Sequence, residues 1–151
     1  MGKVYDQVCM FKAKYPGAIT WWRLKKHSRV VEDNLMTDEE PLFSFAGQRN
    51  DNMLDWFSTS VCTITNKRIV IGCDHIITGY TLISITPDMF NDLTVYKGII
   101  FGKIMIDTIK EVVVFTNLDK HSLPEIQNAI SSNMMEQKKE YAILQRNNIN
   151  K

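Results

Sequence analysis

The amino-acid sequence predicts a mainly β domain: a partly open barrel of about seven antiparallel strands, capped by a C-terminal helix and preceded by a helical arm. Three observations predict it. From residue 41 onward, short runs rich in Val, Ile, Thr and Phe alternate with period two and are punctuated by turn formers. At one turn, Asn66-Lys67, turn chemistry and hydrophobic pattern agree on a single register. After residue 122 the apolar spacing changes to a helical stripe.

The arm, residues 1–36, opens with Val4, Val8, Phe11 and Tyr15 spaced four, three and four apart, which sets them on one helical face. Pro16-Gly17 breaks this helix. A less regular helical stretch is expected from Ala18 to Met36. Thr37-Asp38-Glu39-Glu40-Pro41 is a polar linker into the barrel, residues 37–151. The arm's stripe is free to pack on its own barrel or on a second copy.

The first strand is expected at Leu42 to Gln48, with Phe43 and Phe45 on one face, followed by a polar loop over Asn50 to Asp55. A hairpin from Phe57 to Cys73 comes next. With Asn66-Lys67 as a two-residue turn, asparagine supplying positive φ, Thr65 faces Arg68, Ile64 faces Ile69, Thr63 faces Val70 and Cys62 faces Ile71. Cys62, Ile64, Ile69 and Ile71 then share one face, and Thr63, Thr65, Arg68 and Val70 the other. A slip of one residue destroys this sorting. Further strands are expected at Thr78 to Thr86, Asp92 to Tyr96, Ile99 to Asp107 and Glu111 to Thr116. Ser122-Leu123-Pro124-Glu125 reads as a capping box opening a helix, with Leu123, Ile126, Ile130 and Met134 as its buried stripe. Beyond Gln137 that helix turns polar, with Tyr141 and Leu144 as isolated anchors, and overhangs the barrel.

Composition narrows the function classes. The 151 residues are 44% hydrophobic and 23% charged, a globular balance, with a formal net charge of +1. The global field of such a chain is weak, so wholesale attraction to nucleic acid or to anionic membranes is not implied, and no nucleic-acid partner is expected. Three cysteines, an odd number without a CxxC, fit a reduced cytoplasm. The opening Met1 to Asp6 lacks the apolar run of a signal peptide, and no run is long enough to span a bilayer.

Few constellations suggest chemistry. Gly98-Ile99-Ile100-Phe101-Gly102-Lys103-Ile104 resembles a phosphate loop only superficially: its glycines are one residue too close and Ile104 stands where Ser or Thr must hold magnesium. Gly102 instead marks a bulge or close packing. Cys73-Asp74-His75 lies in strand texture, where neighbours point to opposite faces rather than converging on one ion. GxSxG and HExxH are absent. No catalytic residue, metal or cofactor is expected. Two candidate binding patches remain. Trp21, Trp22, Arg23, Lys25 and Lys26 set aromatics beside cations, as suits an anionic membrane surface or a nucleic acid; the competing reading is a helix that packs one or both tryptophans on the barrel and solvates its basic face. Lys67 and Arg68, at the hairpin tip, suit an anion or serve solubility.

The run Cys62-Thr63-Ile64-Thr65-Asn66-Lys67-Arg68-Ile69-Val70-Ile71-Gly72, with Glu39-Glu40 ahead of the first strand and Phe45-Ala46-Gly47 within it, resembles the bacterial pleckstrin-homology-like (PH-like) families over roughly residues 38–145. The resemblance implies a curved seven-stranded sheet plugged at one end by the helix, without enzyme activity. The sequence departs from eukaryotic phosphoinositide-binding relatives. The region around Arg49 to Asp55 carries two acids instead of clustered cations, and no tryptophan follows Trp56. No phosphoinositide partner is expected. The resulting expectation is a cytoplasmic, non-catalytic interaction module of bacterial PH-like type that binds a protein partner or self-associates. The alternative is peripheral binding to anionic lipid headgroups through the Trp21–Lys26 patch.

Overall fold

A computed structural model describes residues 2–18, 21–50 and 58–151 of the chain. The loop expectation over Asp51 to Asp55, together with Trp56 and the hairpin's first residue Phe57, lies outside the described residues. In chain order the elements are α1 (Lys3–Lys14), α2 (Leu24–Asp33), β1 (Pro41–Gln48), β2 (Thr59–Thr65), β3 (Ile69–His75), β4 (Gly79–Ile85), β5 (Phe90–Lys97), β6 (Phe101–Thr108) and β7 (Val112–Asp119). A single 3-10 turn (Lys120–Ser122) then leads into α3 (Leu123–Ile149).

The strands form one antiparallel sheet in the order β4-β3-β2-β1-β7-β6-β5, curled into a half-barrel. Cys62 faces Ile71, Thr63 faces Val70 and Ile64 faces Ile69, the register the hydrophobic sorting demands. Among the described residues the backbone ladder between β1 and β7 is limited to Gln48 and Thr116. There β7 slips in register against β6, with Asn117 in the left-handed region at φ 56°, a conformation asparagine tolerates. Leu123, Ile126, Ile130 and Met134 of α3 plug the concave side against Phe45, Ile64, Ile71, Ile104 and Phe115.

The mixed face of the hairpin is not a solvent face. Val4 and Val8 of α1, and Leu24 and Val31 of α2, pack against Ala46, Val61 and Val70 to build a second core on the convex side. The arm therefore covers its own sheet, and every residue of β2 is buried. Thr63 survives there because its hydroxyl lies 2.9 Å from that of Ser44, whose Oγ donates to Gln7 of α1.

Three local expectations are corrected. The helical stretch Ala18 to Met36 is helix only from Leu24 to Asp33, because Arg23 adopts φ 53°, a left-handed conformation that cannot continue from a helix before it. The Asn66-Lys67 turn forms without positive φ. The Thr65 hydroxyl accepts from the amides of Lys67 (3.1 Å) and Arg68 (3.0 Å), so a side chain closes the corner. The capping box is absent. Ser122 is already helical and donates to the Asp119 carbonyl at 2.6 Å, while Glu125 turns to Tyr15 and Lys14.

Two glycines set the spacing between layers. A Cβ at Gly102 would lie 2.7 Å from Leu123, so the expected close packing is with the first residue of α3. A Cβ at Gly72 would lie 2.9 Å from Val31 and 3.1 Å from the His27 carbonyl, so α2 rests on bare β3 backbone. Gly72→Ala should therefore cost about 1–3 kcal/mol by overpacking, read as a lower denaturation midpoint in urea with an unchanged slope.

Candidate functional site

The predicted binding residues do not come together. Arg68, expected at an exposed tip, is buried. Its Nε and Nη2 donate to the two Glu39 carboxylate oxygens, both at 2.9 Å, a bidentate pair. Nη2 also donates to the Asn34 carbonyl and Nη1 to Ser84, each at 2.9 Å, and Thr65 donates to Glu39 at 2.8 Å. Burial pushes the Glu39 carboxyl up. The hydrogen bonds from Arg68, the Met36 amide and Thr65 together outweigh it and hold the group below the usual range. Lys67 stays at the surface beside Asp38, 2.6 Å away.

The Trp21–Lys26 segment is divided. Trp21 packs toward the barrel, 6.4 Å from the Phe11 ring, and its indole N–H donates to the Ala18 carbonyl at 2.9 Å. Trp22 is half-buried under the Arg23 guanidinium, 5.2 Å from its ring, and Arg23 pairs with Asp74. Lys25 and Lys26 are exposed on the outer side of α2. Beneath them His27 is fully buried, its Nδ1 accepting from the Asp74 amide at 2.8 Å, so the neutral ring carries its proton on Nε2. That Nε2 has no hydrogen-bond partner among the described residues. Burial pushes the His27 imidazole down to about 4; the Asp74 charge opposes this and Arg23 adds to it.

Chemistry-bearing groups elsewhere are quenched. Burial raises the thiols of Cys62 and Cys73. Cys73 donates to the Thr59 carbonyl, Asp74 holds Arg23, and His75 lies 2.7 Å from Thr81, so the Cys73-Asp74-His75 run points three ways. Among the described residues no group of three His, Cys, Asp or Glu could hold a metal. Gly98 to Ile104 forms a hairpin turn running into β6, not a loop feeding a helix.

The concavity best suited to a ligand is one the sequence reading missed. A groove of about 470 Å³ runs between α1, the start of β1 and the start of α3. It exists because the upstream part of β1 diverges from β7, and α1 fills the gap, with Gln7 donating to the Pro41 carbonyl at 3.0 Å. Its floor is aromatic: Phe11 stands edge-on to Phe43 at 6.0 Å and lies 5.1 Å from Tyr15. A bulge places Leu42 between Pro41 and Phe43, which face consecutive residues of β2, and leaves Leu42 46% exposed; Met10 opposite is 71% exposed. The rim is charged, with Lys3 on Glu40 at 2.6 Å and Lys14 on Glu125 at 2.9 Å. Tyr15 also donates to Glu125, which holds that carboxyl below its usual range and pushes the phenol up. The signal available in sequence was Met10, one residue off the buried stripe, and Leu42, out of phase with Phe43 and Phe45.

A family model described as bacterial PH domain matches residues 35–132. In fold, the chain is similar to a DUF1696 family protein with a pleckstrin-homology domain from Shewanella loihica PV-4, at 9% identity and TM-score 0.47, covering 79% of this chain and 96% of that one. It is also similar to a pleckstrin homology domain from Shewanella amazonensis SB2B, at 11% identity and TM-score 0.42, covering 80% and 91%. No curated protein matches the sequence.

Two outcomes test the buried polar groups. Arg68→Met should cost about 3–5 kcal/mol in urea denaturation, because it strands the Glu39 carboxylate, and the Glu39→Leu, Arg68→Met pair should cost less than the two single changes added together. His27, at 6.5 unfolded and about 4 folded, binds its proton more tightly when unfolded. Stability should therefore fall between pH 6.5 and 4, by roughly 3 kcal/mol in total, with Glu39 adding a further loss below its ordinary 4.5. The slope measured in that first window should flatten in His27→Gln.

Proposed function

The chain belongs to the bacterial PH domain family, and from that premise we propose that it is a non-catalytic, cytoplasmic interaction module that grips an apolar protein segment in the groove between α1 and β1. The observation that carries this reading is the pairing of exposed Met10 and Leu42 over a floor of Phe11, Phe43 and Tyr15. Such a floor binds by burial of apolar surface, and the opposed charges of its rim orient what lies across it. The partner segment is an apolar helix or strand, on another protein or on a second copy of this chain. Support for a non-catalytic role comes from the raised thiols of Cys62 and Cys73, which withhold the thiolate a cysteine nucleophile needs. The three free cysteines support a reducing compartment. Among the described residues no helix is long and apolar enough to cross a membrane.

A photo-cross-linking residue in place of Met10, used in cells that express the protein, tests this directly. One dominant protein adduct is expected, reduced about tenfold by Leu42→Lys. If the adduct is the chain itself, light scattering of the pure protein should show an oligomer that Leu42→Lys returns to monomer. A diffuse smear of adducts, or adducts indifferent to Leu42→Lys, would overturn the reading.

A further inference from the structure

We propose that the tip of the β5–β6 hairpin is a docking point for an anionic lipid surface. This goes beyond the protein-binding reading and uses none of the groove residues. The turn is tight, with the Gly98 amide donating to the Phe101 carbonyl at 3.0 Å. Its two outermost residues are isoleucines: Ile99 is 92% exposed and Ile100 69%. Single exposed hydrophobes are ordinary, but a protruding turn is where Asn, Asp and Gly belong, and two adjacent β-branched residues there meet no folding need. Tyr96 stands exposed just before them, an amphipathic ring of the kind that sits at a membrane interface.

Charge selects the partner. Lys97 is exposed at the end of β5, and Lys120 reaches over to donate from Nζ to the Ile99 carbonyl at 3.0 Å. Asp119 closes β7 opposite Phe101, the first residue after the turn. It is buried and accepts from the amides of Gly17 and His121, both at 2.9 Å. No carboxylate occurs in the run from Leu93 to Ile106, so the turn itself carries apolar side chains and cations, the arrangement that inserts into and neutralises an anionic bilayer face. The β3–β4 tip is the internal contrast. Ile76 and Ile77 are exposed there too, at 56% and 92%, but they follow Asp74, which takes up the charge of Arg23, and no lysine flanks them. The Lys120 bond also braces the β5–β6 turn, so little ordering remains to be lost on docking. With a whole-chain charge of only +1, the attraction is local and short-ranged.

Flotation of the full chain with vesicles tests this, using phosphatidylcholine alone and phosphatidylcholine mixed with phosphatidylglycerol. Binding is expected on the anionic vesicles only, and it should fade with added salt. Ile99→Asp with Ile100→Asp should abolish it, and Lys97→Glu with Lys120→Glu should weaken it more than about twentyfold. Ile77→Asp, and Lys25→Glu with Lys26→Glu, should leave it unchanged. No binding to anionic vesicles, equal binding to neutral ones, or binding retained after the Ile99 and Ile100 changes would sink the proposal. So would a loss that follows Ile77 or Lys25 and Lys26 instead. A tip that captures a protein in cells while vesicles stay bare would assign the surface to a protein partner and overturn the lipid reading.

Discussion

The fold turns on one buried ion pair. Glu39 and Arg68 are 29 residues apart, and their bidentate contact gathers the linker after α2, the β2–β3 corner and β4 at one point. A charge taken out of water costs several kcal/mol unless its hydrogen bonds are replaced, and here the replacements come from the linker, the β2–β3 corner, the end of α2 and β4. The Glu39 oxygens are taken by Arg68, Thr65 and the Met36 amide. Two further guanidinium N–H groups go to the Asn34 carbonyl and to Ser84. The arm is thereby locked to the sheet in one orientation. An apolar pair of the same volume would hold the same elements together without saying where each must sit.

That lock explains the double-sided sheet. Once the linker is pinned, α1 and α2 have nowhere to lie but across the convex face of β1, β2 and β3, where Ala46, Val61 and Val70 await them. Gly72 then sets how near α2 can come. The price of this arrangement appears in the polar residues caught beneath: Ser44, Thr63 and Gln7 satisfy one another in a chain, whereas His27 keeps a buried nitrogen without a partner among the described residues.

Much of the fold was legible in the sequence because strand and helix periodicities are local. The Cys62–Ile71 register and the Leu123, Ile126, Ile130 and Met134 stripe each follow from residues that are neighbours along the chain. What was not legible depends on distant partners. Arg68 reads as a surface cation at a turn until Glu39 is brought to it. Asn66 reads as the residue that makes the turn until the Thr65 hydroxyl does so, leaving the Asn66 side chain to accept from the Glu40 amide at 2.8 Å. Ser122 and Glu125 satisfy a capping pattern, yet Tyr15, 110 residues away from Glu125, claims the carboxylate first. The candidate groove was hidden for the same reason: Met10 and Leu42 look like stray hydrophobes until the divergence of β1 from β7 sets them over the aromatic floor. The expected patch from Trp21 to Lys26 was visible as composition, but periodicity could not tell which of its tryptophans faces inward.

The single meeting of β1 with β7 carries a kinetic meaning. Every other strand pairs with its neighbour in sequence, so each hairpin closes a short loop and can form early. Among the strand pairings of the described residues, the junction of Gln48 with Thr116 is the one that joins strands distant in sequence, 68 residues apart. Within the sheet, the entropy of chain closure therefore falls mainly on that one pairing, where two half-sheets meet at a corner. Lengthening or shortening the chain between β2 and β6 would change how fast that corner finds itself while leaving the finished barrel nearly the same.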